Sequence, residues 1–150
     1  MKSLFSLLAF SLVLTTSLIT SATFAADMTS AVGNWVTIDD ETGKAKSVVK
    51  ITQVGNELRG SIVKLMDPTK QNAVCDECKG ANKGKPIKGM IMMWGLKPAG
   101  AAWAGGRILD PSNGKIYKAK MSLVDGGKKL NVRGFIGFAL LGRTQTWNRQ

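Results

Sequence analysis

Turn signals recur along this chain between short apolar runs, a pattern that accommodates short strands and leaves little room for long helices. Asp39-Asp40-Glu41-Thr42-Gly43, Val54-Gly55-Asn56-Glu57, Asp67-Pro68, Asp110-Pro111-Ser112-Asn113-Gly114 and Asp125-Gly126-Gly127-Lys128 each break an apolar run. They combine residues that tolerate positive φ or preset a turn with side chains that bond their own backbone. The runs between them read as strands: Asn34 to Ile38, Ser47 to Val54, Leu58 to Leu65, Met90 to Leu96, Ala102 to Asp110, Ile116 to Val124, Leu130 to Ile136 and Thr144 to Arg149. Several alternate: Leu58, Gly60 and Ile62 share one face of their strand, Tyr117, Ala119, Met121 and Leu123 share one face of theirs, and Leu130, Val132, Gly134 and Ile136 mark the next. The expected class is all-β, a small antiparallel up-and-down barrel of about eight strands, because closure removes the edges an open sheet must protect. A β-sandwich fits the strand count as the alternative.

The start of the chain bears on compartment. Lys2 precedes a run from Leu4 to Ile19 that is mostly apolar, and Ser21-Ala22-Thr23-Phe24-Ala25-Ala26 leads to Asp27. Positive start, apolar centre and small residues are the parts of a secretory signal. Residues 1–25 are expected to be the signal peptide and 26–150 a single β-barrel domain, secreted into the periplasm of a Gram-negative envelope. The apolar run is short and Ser/Thr-laced against the ~20 residues a span requires, and no second such run follows, so no transmembrane segment is expected after signal removal. Twenty-one Lys and Arg face ten Asp and Glu, a net charge of +11. Such a field favours anionic partners. In an envelope these would be an anionic surface of lipid or lipopolysaccharide, or an acidic small molecule. Nucleic acid is not expected there.

Few residues suit catalysis. The sequence has no His, which removes the commonest general base and activator of nucleophiles. Asp39, Asp40 and Glu41 are read as turn formers, so no enzyme activity, cofactor or metal is expected. Cys75-Asp76-Glu77-Cys78 carries the only two cysteines. A structural disulfide is the preferred reading in an oxidising compartment. A redox dithiol with thiols activated by Lys79 and Lys83, or an incomplete metal site, are the other two. The loop that follows brings Lys79, Lys83 and Lys85 together as candidates to hold an anion with backbone N–H groups and ammonium charges. Arg133, Tyr117, Trp94 and Trp103 are the candidates to line a ligand cavity, since such pockets join aromatic walls to a few polar groups. Phe135 to Leu141 is apolar throughout. It is expected to tuck into the core, the alternative being an exposed patch for a membrane, partner or ligand portal.

Gly33-Asn34-Trp35 opens the first strand and Arg143 begins the last. Gly-x-Trp with a terminal Arg resembles the lipocalin and calycin pattern, and it casts Gly33, Trp35 and Arg143 as structural closure, with the guanidinium over the indole. Asp39-Asp40-x-x-Gly43, Cys75-x-x-Cys78-Lys79-Gly80, Asp110-Pro111-x-x-Gly114-Lys115-x-Tyr117, Val132-Arg133-Gly134-Phe135-x-Gly137 and Gly142-Arg143-Thr144-Gln145-Thr146-Trp147 complete a set. Together these resemble the bacterial secreted family known as domain of unknown function 2147, over nearly the whole chain beyond the leader. The resemblance implies an envelope protein with a lipocalin-like barrel and supplies no reaction or ligand. The leading expectation is therefore a binding module for a small apolar or amphipathic ligand, anionic ones included. Two others stand beside it: a filled barrel that binds anionic lipid or lipopolysaccharide through basic surface, and a thiol-disulfide redox protein using Cys75 and Cys78.

Overall fold

The computed structural model describes residues 29–150; the leader, 1–25, and residues 26–28 of the expected domain lie outside them. Eight strands run in order: β1 (Gly33–Ile38), β2 (Ala45–Val54), β3 (Glu57–Leu65), β4 (Ile91–Ala99), β5 (Ala102–Asp110), β6 (Lys115–Val124), β7 (Lys129–Phe135) and β8 (Gly142–Arg149). Each pairs antiparallel with the next, and β8 returns to β1, closing the barrel. The seam is short and pairs Trp35 with Arg149 and Val36 with Asn148. Closure leaves no strand edge on which another chain could template.

Because every connection reverses direction, the loops divide between two ends. The start of β1, the turn at Gly55-Asn56, the β4–β5 turn at Gly100 and the β6–β7 turn share the end that holds Trp35. Residues 39–44, 66–90, 111–114 and 136–141 gather at the opposite end.

Inward positions follow the two-residue period of a strand. Trp35, Val49, Ile51, Met93, Leu96 and Leu130 have no accessible surface, and Trp147 and Met121 almost none. Together with Val132, Ile62 and Leu58 they form one cluster. A side chain without accessible surface has no water-sized space beside it, so the barrel is packed along this stretch at interior density. The hollow that a carrier needs is occupied there by two indoles, each worth 150–250 Å² of burial, roughly. Strands β4 and β5 approach closely at Gly106, where a Cβ would lie 2.5 Å from Leu96 Cγ and 2.7 Å from the Trp94 carbonyl oxygen. The absence of a side chain lets Leu96 reach the core.

A second, smaller core lies outside the barrel. Cys75, Cys78, Met90 and Leu109 are buried together, with Ile87 and Trp94 packed against them. Leu109 alternates with the inward Ile108 and so faces outward from β5. The long 66–90 connection folds back over it. Cys75 and Cys78 are disulfide-bonded, and the segment is stitched by Cys75 N–H to the Lys85 carbonyl at 2.9 Å and Gly84 N–H to the Cys75 carbonyl at 3.0 Å. Gly114, at φ +67°, presses on the Glu77–Cys78 backbone, where any Cβ would overlap the Glu77 carbonyl. That contact anchors the disulfide loop to the β5–β6 turn.

Phe135 to Leu141 departs from the expectation of burial. Ile136, Phe138, Leu140 and Leu141 are 64–91 % exposed. The connection turns outward over β7 instead of inward over the barrel mouth, for a reason that lies in Arg133.

Candidate functional site

The expected pairing of Trp35 with Arg143 is corrected by the geometry. The guanidinium over the Trp35 ring, 4.3 Å from its centroid, belongs to Arg149. Strand β8 runs antiparallel to β1, so its last residues, and not its first, meet the start of β1. Arg143 lies six residues away, about 20 Å along the strand at some 3.3 Å per residue. Arg149 Nε donates to the Gly127 carbonyl at 2.7 Å and Nη2 to the Ser30 carbonyl at 2.7 Å, while Trp35 Nε1 donates to Ala31 at 2.8 Å. Gly33, at φ +140°, leaves the guanidinium its room, since a Cβ would sit 3.2 Å from Arg149 Nη1. At the opposite end Arg143 pairs with Asp40. Gln145 Nε2 donates to the same carboxylate at 2.6 Å and accepts from Trp147 Nε1 at 3.3 Å.

The acidic turn is thereby accounted for. Asp39 accepts from the Thr42 backbone N–H at 3.0 Å and the Thr42 hydroxyl at 2.9 Å. These bonds, aided by Lys46, hold its carboxyl below the ordinary value of 3.8. The hydroxyl and N–H of Thr69 lower Asp67 in the same way.

The four candidates for a ligand cavity do not converge. Trp103 pairs with the inward Met121 at the Trp35 end. There it borders a depression of about 200 Å³ with Ser30, Asn56 and Pro98. Tyr117 faces inward at the opposite end, its hydroxyl 3.2 Å from Asn113 Nδ2. Trp94 faces outward beside the disulfide loop, where a hollow of about 340 Å³ is lined by Glu57, Arg59, Asn82, Ile91 and Trp94. Arg133 also faces outward, because Val132 and Gly134 point in. Its guanidinium donates to the Ala139 carbonyl at 2.7 Å, the Leu140 carbonyl at 3.1 Å and the Thr144 hydroxyl at 2.8 Å. This is the clamp that draws the β7–β8 connection outward.

In the disulfide loop Lys83 and the backbone donors beside it serve the loop itself. Backbone N–H groups of Asn82, Lys83, Gly84 and Lys85 all donate to carbonyls within the loop, and Lys83 Nζ donates to the Asp76 carbonyl. Lys79 and Lys85 are exposed on its surface. These bonds take four backbone donors and one ammonium group of the loop away from any anion.

A feature missed in the sequence appears on the outer face of β4 to β7. Cross-strand pairing sets Trp94 beside Arg107, Arg107 beside Lys118 and Lys118 beside Phe135. In the next row Lys120 stands beside Arg133. Cations thus oppose cations twice, a placement that costs stability in a sheet. Among the described residues the ion pairs use Lys46, Arg59, Lys70, Lys129 and Arg143, and none of the four band cations has a carboxylate partner. Register, the one thing a strand list does not contain, was the absent signal. The same face excludes a lipid-spanning role for these strands, whose exteriors would need an apolar band roughly 25 Å tall.

The profile of a family described as uncharacterised proteins conserved in bacteria, DUF2147, matches residues 33–149, from the first residue of β1 to the last of β8. The chain belongs to that family. Among solved structures it is similar to protein HP1028 from the human pathogen Helicobacter pylori, described as belonging to the lipocalin family. Identity is 17 %, the match covers 81 % of this chain and 83 % of that one, and the TM-score is 0.71. At that identity the likeness is one of fold: this DUF2147 barrel is lipocalin-like. No curated protein matches it.

Proposed function

We propose that the protein is a non-enzymatic binding module of the bacterial cell envelope that engages phosphate-bearing anionic amphiphiles on its outer face. The supporting observation is the cation band of Arg107, Lys118, Lys120 and Arg133, none with a carboxylate partner among the described residues, flanked in its first row by Trp94 and Phe135. Like charges set opposite each other are tolerated at a stability cost where a partner of opposite charge relieves them. The packed interior favours exterior binding over carriage inside the barrel. Burial of both cysteines favours a structural disulfide over a redox centre, since exchange requires access by an attacking thiolate. Periplasmic location rests on the signal-like leader.

Each cation near an anionic surface contributes about 1 kcal/mol. Replacing Arg107 and Lys120 by Gln should therefore weaken sedimentation with phosphatidylglycerol vesicles or lipopolysaccharide about thirtyfold, and binding should fall with salt. Thermal stability should hold or rise, because both changes relieve like-charge opposition. Salt-insensitive binding, or equal binding by this variant, would overturn the reading.

A second reading has one observation behind it. The hollow beside Trp94 joins an indole and Ile91 to Arg59, in a volume near the lower end of small-ligand sites, ~300 Å³. Displacement of a fluorescent fatty acid by the wild type and not by Trp94→Ala would favour it; no displacement would exclude it.

A further inference from the structure

The β7–β8 connection contradicts the usual chemistry of a hairpin tip. It offers Ile136, Phe138, Leu140 and Leu141 to solvent at 64, 80, 91 and 77 % exposure. Four large apolar side chains on one short turn would ordinarily collapse onto the barrel. Here the backbone prevents it. Arg133 grips the carbonyls of Ala139 and Leu140. Lys118 Nζ reaches the Gly137 carbonyl at 3.4 Å, and Leu141 N–H donates to the Phe138 carbonyl at 3.1 Å. Carbonyls 137 to 140 therefore all have donors inside the protein. A segment that enters hydrocarbon must satisfy its backbone polar groups internally, because no water is there to do it, and for these four carbonyls that condition is met.

We infer that this connection is a preformed wedge that inserts its apolar side chains into an anionic phospholipid bilayer. The inference rests on the anionic-surface reading above and names the element that enters the membrane. Two zones lie in the right order for it: the apolar tip, and directly behind it Arg133, Lys118 and Lys120 at the depth of the phosphates. Interfacial segments combine apolar insertion with cations at headgroup level in this manner. The clamp also limits the entropy lost on insertion, since the turn is already held in its bound shape. Arg133 is a positioning residue for the tip as well as part of the charge that faces the lipid.

The test uses the purified protein and vesicles of equimolar phosphatidylglycerol and phosphatidylcholine, with and without bromine on the acyl chains. Phe138→Trp should sediment with the vesicles, shift its added emission to the blue and be quenched by the brominated chains beyond the wild-type background. Phe138→Ser with Leu140→Ser should lose about tenfold or more in partitioning per side chain. Its melting temperature should be unchanged, because both side chains are exposed. Sedimentation without quenching of Phe138→Trp would overturn the wedge and leave surface binding standing. No sedimentation at low salt would overturn both. Self-association without lipid that the Ser variant abolishes would show the tip to be a protein contact and would also overturn the wedge.

Discussion

Replacing Arg149 by Met isolates what closes the barrel. The aliphatic length is kept while the guanidinium is lost. The structure assigns that group a position 4.3 Å above the Trp35 ring and bonds to Gly127, Ser30 and Val32. A cation–π contact of this kind contributes about 0.5–2 kcal/mol, and a hydrogen bond from a charged donor about 1.5–3. The contacts share one half-buried side chain and do not add, so the expected loss is about 3–4 kcal/mol, within the range for breaking such a network. With a urea slope of about 1.5 kcal/mol/M, the unfolding midpoint should fall by roughly 2 M. The matched control is Arg143→Met. Its partner Asp40 is at the surface and the Arg143 side chain is 66 % exposed, so it should cost no more than about 1 kcal/mol. Both variants are read by tryptophan fluorescence and far-UV circular dichroism during urea titration, with coincident transitions confirming two-state behaviour. Equal losses, or a larger loss for Arg143→Met, would refute the assignment of closure to Arg149.

Three further outcomes follow from the loops. Gly114→Ala should lose about 3 kcal/mol by chemical denaturation, because it combines positive φ with overlap on Glu77, whereas Gly126→Ala, at φ +59° in open space, should lose only about 1. Cys75→Ser with Cys78→Ser removes a very short cross-link worth about 2 kcal/mol. Hydrogen exchange should quicken in 75–89 while vesicle sedimentation is unchanged. Asp39 and Asp67 have carboxyls held below the ordinary 3.8. Their contribution to stability is therefore present above that pH and lost as pH falls through the lowered values, so denaturation midpoints should decline below about pH 4, and less steeply in Asp39→Asn.

Much of the fold was legible because its signals are local. Turn residues and two-residue alternation mark the strands from residues a few positions apart, and the count of eight follows from them. The outward aim of Arg133 was also within reach, since it alternates along the strand with Val132 and Gly134. The same holds for Arg149: in an antiparallel closure the end of the last strand meets the beginning of the first, so Trp35 could not have met Arg143. The apolar tip was not legible. Hydrophobicity alone points inward, and only the bonds from Arg133 turn it out.

What the chain determined by itself is the set of strands, their faces, the excess of positive charge and the identity of the residues that could close the barrel or bridge a loop. Only the tertiary structure decided register, and register set Arg107 beside Lys118 and Lys120 beside Arg133. It also decided that the interior is filled, and that the disulfide loop covers Leu109 outside the barrel. The physical reason is distance along the chain. Periodicity and turns report on neighbours in sequence, while cross-strand pairing, packing density and the reach of a guanidinium depend on residues brought together from far apart.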